Sequence, residues 1–336
     1  MGSSLKLAAT LGAVMLAAHP AQAHHATTSV YDRSRVIEAE GVITAVAWVN
    51  PHVRFAMRGV EAGGSERNWE IESNSVSIVS RFGLSADLVV VGDRVKLAGN
   101  PGRVRDDVLW VTNMLLPSGA EILFGANVPR RWSERTIGGD VRSAVAADTG
   151  ELGLFRVWTN STAPPSFWGS GHPLTAAAEA ARAAYDPIAG DPTVNCAPKG
   201  MPYIMEQPYP VEFVDMGTEI LLKMEEYDTV RRIAMSAESS GRQRGSTRLG
   251  VSVGRWEGAT LVVATTDVDY PYFNASGIPF HRAARIEERF VLNADGSRLE
   301  YTMVVTDPES FTASVTLRKA WEWRPGEQVR PYDCRR

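Results

Sequence analysis

The chain has 336 residues, with 35 Lys plus Arg against 39 Asp plus Glu and a formal net charge of −4. A mildly acidic chain with no basic run argues against nucleic acid as a partner. Two cysteines are too few for a thiolate zinc cage, and 44% apolar content promises an ordinary buried core.

Met1–Ala23 has the pattern of a secretory signal peptide: Lys6 in a short n-region, an apolar run Leu7–Ala18, and a small-x-small site at Ala21-Gln22-Ala23. Leu7–Ala18 is too short to span a bilayer, and no later apolar run approaches the roughly 20 residues needed. The expectation is an exported protein, periplasmic or secreted, with no membrane span. Cleavage after Ala23 removes Lys6, leaving 34 basic against 39 acidic residues and a net charge of −5. It also leaves His24 and His25 as the first two residues.

Three zones follow. In 24–118, the runs Glu38–Ala47, Arg54–Val60, Asn68–Glu72, Arg94–Gly99 and Val108–Leu115 are short, rich in β-branched residues and separated by turn signals. With a short helix over Ser73–Phe82, they predict a small OB-like barrel. Zone 119–195 is irregular, with one helix capped at Thr175 and ended near Asp186-Pro187. Its Trp132, Trp158 and Trp168 imply packing across the domain junction.

Zone 196–336 predicts eight strands with no helix between them. They lie near Val211–Val214, Glu219–Glu225, Val230–Met235, Leu249–Val253, Thr260–Thr266, Arg285–Leu292, Leu299–Thr306 and Thr312–Trp323. In Arg298–Val305, Leu299, Tyr301, Met303 and Val305 fall on one face. The expectation is a mainly β chain: an OB-like barrel, then an eight-stranded antiparallel lipocalin-like barrel with room for one small ligand. In an exported protein, Cys196 and Cys334 are expected to pair.

Specific motifs carry a resemblance. His24-His25, Tyr31-Asp32, Trp48-Val49-Asn50-Pro51-His52 and Gly92-Asp93 resemble an uncharacterised domain of exported, sphingomonad-like bacterial proteins. Cys196-x-Pro198-x-Gly200-Met201-Pro202, Ser252-Val253-Gly254-Arg255-Trp256-Glu257-Gly258, Glu288-Arg289-Phe290, Thr306-Asp307-Pro308 and Tyr332-Asp333-Cys334 resemble the partner domain fused to it. The resemblance implies no activity. One departure is His281, where the pattern carries a small polar residue. A looser association of context links exported proteins of such bacteria with breakdown of lignin-derived aromatic dimers.

Two constellations have chemical promise. His24, with its amine, His25 and His52 would suit copper, or less specifically zinc, with Glu70 or Glu72 completing the set. In the second barrel, Arg231, Glu288, Asp307, Tyr227 and His281 are candidate catalytic groups. An inward carboxylate would serve as acid or base, Arg231 would orient an anionic substrate, and His281 at the barrel mouth would shuttle protons. Trp256, Tyr270, Tyr272, Phe280 and Tyr301 are candidate substrate contacts. Glu225, Glu226 and Arg289 add charge on the same strands.

No nucleophile elbow, Walker loop, dinucleotide fingerprint or zincin helix occurs. The expected function is therefore a lyase or isomerase without an organic cofactor. It would act by acid–base elimination on a small aromatic molecule, such as a phenolic dimer that yields a stilbene. A copper-binding protein and a non-catalytic carrier of an apolar molecule are the alternatives.

Overall fold

The computed structural model describes residues 30–60, 66–139, 153–161, 171–187, 189–240 and 247–335. Two β barrels follow one another along the chain. The first is built from β1 (Ile37–Ala47), β2 (Arg54–Val60), β3 (Glu66–Glu72), β4 (Arg94–Pro101) and β5 (Val108–Leu115). Between β3 and β4 lies the helix α1 (Val76–Arg81), whose first turn is capped by Ser75 Oγ accepting from Ile78 N at 3.3 Å. The sheet runs β3-β2-β1-β4-β5, and a parallel pairing of β3 with β5 closes it. Five strands closed this way around Ile43, Phe55, Met57, Ile71, Leu97, Leu109 and Val111 form the OB-like barrel that the strand pattern predicts.

The irregular zone serves both barrels. Its β6 (Glu121–Leu123) and β7 (Thr136–Gly138) extend the first sheet, and its β8 (Val157–Asn160) joins the second barrel. Trp132 lies under the Lys96 ammonium at 5.1 Å, and Trp158 is wholly buried in the second core. Trp168 falls outside the described residues. The helix α2 (Ala176–Ala184) begins at Thr175, whose Oγ1 accepts from Ala178 N at 3.2 Å.

All eight strands expected in the last zone form. They are β9 (Val211–Asp215), β10 (Glu219–Met224), β11 (Thr229–Ala234), β12 (Val251–Glu257), β13 (Thr260–Thr266), β14 (Arg285–Leu292), β15 (Arg298–Thr306) and β16 (Val315–Glu322). The run of strands is not free of helix as expected, since a 3₁₀ turn, Glu226–Asp228, and a one-turn helix, Ala237–Ser240, interrupt it. The closed barrel differs from the simple antiparallel expectation in two further respects. It has nine strands, because β8 closes the gap between β16 and β9. It is also mixed, because β11 and β12 pair in parallel. Neither was readable: β8 is four residues inside an irregular stretch, and the long β11–β12 connection hides its direction. The alternation of β15 holds, with Leu299, Tyr301, Met303 and Val305 at 1% exposure or less. The lumen is packed by Trp158, Phe213, Phe290, Tyr301, Met303 and Trp321.

Cys196 and Cys334 form a disulfide, with Cα atoms 6.0 Å apart. It pins the C-terminal tail across the domain junction. The tail meets Asn50 of the Trp-Val-Asn-Pro-His run. Asn50 Nδ2 donates to Tyr332 O, Oδ1 accepts from Val76 N at 3.1 Å, and its backbone O accepts from Arg335 N at 2.9 Å. Beside it, Arg81 of α1 donates from Nη2 to Glu225 Oε2 at 3.0 Å and from Nε to Glu327 Oε2 at 3.1 Å. Glu225 is completely buried. Arg81→Met strips that carboxylate of its cation and is expected to cost about 3 kcal/mol. A urea midpoint equal to wild type would show that the tail joins the barrels without this pair.

Candidate functional site

Four polar constellations stand out. The first lies in the OB-like barrel. His52 Nδ1 is 3.2 Å from Glu72 Oε2, which also accepts from Tyr31 OH at 2.9 Å. Trp110 packs edge-on to His52 at 5.2 Å and carries the Arg33 guanidinium over its face. His24 and His25 lie outside the described residues. Among the described residues no group of three His, Cys, Asp or Glu is placed to hold a metal ion. The same domain has an open groove of about 630 Å³ lined by Arg35, Glu38, Arg67, Trp69, Lys96 and Asp106. Its charges bind one another, Lys96 to Glu38 at 2.9 Å and Arg67 to Asp106 at 3.1 Å.

The second constellation sits inside the second barrel. Alternation turns Arg231 on β11, Ser252 on β12, Thr265 on β13, Glu288 on β14 and Tyr301 on β15 into the lumen, all at 1% exposure or less. Arg231 Nη1 donates to Glu288 Oε1 at 2.9 Å, and Nη2 donates to Oε2 of the same carboxylate. Further donations run from Arg231 Nη2 to Thr265 Oγ1 at 2.7 Å and from Nε to Ser252 Oγ at 3.1 Å. Tyr301 OH donates to Glu288 Oε1 at 2.6 Å. The expected catalytic pair Arg231 and Glu288 is thus brought together, but each holds the other. Trp256 is 44% exposed, packed edge-on against Phe155.

The third joins His281 and Asp307, two other expected catalytic residues. His281 Nδ1 lies 3.0 Å from Oδ2 and 3.2 Å from Oδ1 of Asp307, and the His281 backbone N–H donates to Oδ2 at 3.0 Å. The Asp307 carboxylate is buried, while a third of the imidazole is exposed, its Nε2 3.8 Å from Glu309 Oε2. A carboxylate that fixes one ring nitrogen and leaves the other facing solvent suits proton transfer. His281 closes an aromatic loop that opens at Tyr270. Within it, Phe280 N donates to Pro271 O and Phe273 N to Ile278 O.

The fourth is richest in perturbed groups; Tyr227, Tyr270 and Tyr272 in it were expected site residues, and Glu226 was noted as a charge on the same strands. Lys199 Nζ donates to Glu226 Oε1 at 2.8 Å and lies over the Tyr203 ring at 4.5 Å. Lys319 Nζ donates to the backbone oxygens of Met205 and Gln207 at 3.2 and 2.6 Å, the two carbonyls flanking Glu206. Burial pushes the Glu206 carboxyl up to about 7, the Glu226 charge adding to the rise against the pull of Lys199. Burial also pushes the Lys319 amine down to about 7, with Glu206 and Glu226 opposing and Lys199 assisting. The Glu226 carboxyl is raised by burial, partly offset by Lys199. Burial alone would depress Lys199, but Glu226 and Glu206 outweigh it and hold the amine above its ordinary value.

Seven of the nine tyrosines gather at this barrel end. Ring centroids step from Tyr185 to Tyr272 (5.1 Å), Tyr270 (6.3 Å) and Tyr203 (6.4 Å). Tyr209 and Tyr227 flank Tyr332 at 5.4 and 5.0 Å. The backbone is unusual here as well: Tyr227 and Asp228 are consecutive non-glycine residues at positive φ, +57° and +49°, directly after Glu226. Gly200, beside Lys199, is required for packing, since a Cβ there would meet the Tyr270 ring at 2.4 Å and Arg248 O at 2.5 Å. Gly200→Ala is therefore expected to lower the thermal midpoint by several degrees; an unchanged midpoint would mean that Tyr270 is free to move aside.

Residues 13–108 match a family of unknown function (DUF6152), which spans the OB-like barrel as far as the start of β5. No curated protein and no solved structure matches the chain. Of the described residues, no helix is long and apolar enough to cross a membrane.

Proposed function

We propose that the protein is an exported enzyme acting by general acid–base catalysis on a small aromatic molecule, without an organic cofactor. The reading places the chemistry at the end of the second barrel, around Glu206, Lys319, Glu226 and Lys199. One observation carries it: chain segments far apart in sequence bring an acid and an amine together, both moved from opposite directions to about 7. Such paired displacement is what acid–base sites require, and it recurs at functional sites. An elimination or isomerisation moves protons with no net electron transfer. The Lys319 amine would accept the proton leaving carbon or a phenol, and the Glu206 carboxyl would return one to the departing oxygen. His281, at the foot of the loop that begins with Tyr270, would exchange protons with solvent.

The test is turnover of a panel of phenolic diaryl compounds, followed by chromatography and by absorbance of a new conjugated product. Lys319→Met and Glu206→Gln are each expected to lower kcat about 100-fold or more. Normal turnover in both variants would remove this site from the mechanism. Stoichiometric binding without turnover would make the protein a carrier.

A second reading is favoured by the His52–Glu72–Tyr31 contact. A carboxylate on one ring nitrogen is the usual support of a metal-bound histidine. In this reading His52 joins His24 and His25 in a copper site, and zinc would fit less specifically. Elemental analysis of the protein cut after Ala23 tests it. About one copper per chain, lost when a residue is added before His24, is the expected result; metal-free protein rejects it.

A further inference from the structure

Buried polar atoms nearly always have partners, so orphans mark places where something else binds. At this barrel end, Glu226 Oε2, Glu206 Oε2 and Tyr270 OH are buried and find no hydrogen-bond partner among the described residues. Glu226 is 2% and Tyr270 7% exposed. Contacts link the three: Glu226 accepts from Lys199 Nζ, which lies over the Tyr203 ring, and Tyr203 shares a 3₁₀ turn with Glu206 and a ring contact with Tyr270. Of the three residues, Glu206 alone is half-buried, the other two being buried. Two carboxylate oxygens ask for donors, and the phenol asks for an acceptor. The surrounding Tyr203, Tyr270 and Tyr272 rings offer flat apolar faces.

A cation is disfavoured here by Lys199, whose ammonium already answers the Glu226 charge at 2.8 Å. An anion is disfavoured by the carboxylates themselves. A neutral molecule with O–H donors suits both. We propose that this barrel end binds a hydroxylated aromatic with at least two O–H groups, one given to Glu226 Oε2 and one to Glu206 Oε2, with Tyr270 OH donating to a ligand oxygen. The inference rests on placing the acting site here, and it names the ligand class of that site.

The experiment is calorimetric titration of the full chain with catechol and resorcinol, which set two hydroxyls at different spacings, and with phenol and cyclohexane-1,2-diol as controls. One of the two diphenols is expected to bind at least tenfold more tightly than phenol and than the alicyclic diol. Tyr270→Phe removes a hydroxyl that holds nothing else in place, so its urea midpoint should match wild type; Glu206→Gln is compared with wild type at the one pH of the titration, with its fold checked by circular dichroism. Each should weaken the diphenol about tenfold, the loss of one hydrogen bond of about 1.4 kcal/mol. No saturable binding of either diphenol, or binding untouched by both variants, overturns the proposal and leaves the orphan atoms to water. The two readings fail separately. Diphenol binding that depends on Tyr270, with turnover indifferent to Lys319, sinks the catalytic reading alone. Turnover that depends on Lys319 without diphenol binding sinks the ligand class alone.

Discussion

Replacing Arg231 by Met is expected to destabilise the protein by about 3–5 kcal/mol, the cost of leaving one buried charge without its partner. Glu288 has no exposure to water, and Arg231 supplies two of the three hydrogen bonds that its carboxylate accepts, Tyr301 the third. The same physics says that the pair, once removed whole, is dispensable. Desolvating two ions offsets most of what their attraction returns. The triple variant Arg231→Met, Glu288→Leu, Tyr301→Phe deletes the cation, the anion and the phenol that donates to it. Ser252 and Thr265 keep each other, 3.0 Å apart. Its urea midpoint should return to within about 1–2 kcal/mol of wild type. A triple variant as unstable as the single one would show that the cluster holds the barrel together on balance. A stable triple variant without turnover would return Arg231 and Glu288 to the chemistry.

Arg231 and Glu288 were singled out for chemical type, but their inward placement was not legible: period-two alternation separates two faces of a strand, and only closure of the barrel turned theirs into the lumen. The same rule reaches Lys319: Val315, Leu317, Lys319 and Trp321 share the buried face of β16. A lysine on an otherwise apolar strand face was therefore a readable signal that went unused. Glu206 was not readable, and Glu226 was noted only as a charge on the strands. Both sit in single-turn 3₁₀ segments, Tyr203–Glu206 and Glu226–Asp228, where no periodicity assigns a face. Their burial follows from chain closure around the barrel end, a long-range event. The His281–Asp307 contact has a similar origin. Both residues were singled out for chemical type, yet nothing local joins a loop before β14 to the turn after β15. The OB-like half was easier, because its five short strands and the helix within Ser73–Phe82 follow from patterns within about ten residues. The role of Asn50 was hidden, since its partners Tyr332 and Arg335 come from the other end of the chain.

Stability is expected to pass through a dip near pH 7 that belongs to Glu206 and Lys319. Glu206 is raised from 4.5 to about 7 in the fold. Between those values the folded chain binds the extra proton, so this contribution is full below pH 4.5 and is lost as pH rises to 7. Lys319 is lowered from 10.5 to about 7. Here the unfolded chain binds the extra proton, so stability recovers as pH rises from 7 toward 10.5. A tenfold change in proton affinity is worth about 1.4 kcal/mol, so each limb amounts to a few kcal/mol. The charges facing the pair modify the limbs without reversing them. Glu226, also raised, deepens the acid-side fall, and Lys199, held above its ordinary value, limits recovery at the alkaline extreme. The readout is the urea midpoint at pH 5.5, 7 and 9 for wild type, Lys319→Met and Glu206→Gln. Relative to wild type, Lys319→Met should lose the alkaline recovery and Glu206→Gln the acid-side fall. Three parallel profiles would mean that neither group titrates near neutrality, and the proposed acid–base pair would lose its physical basis.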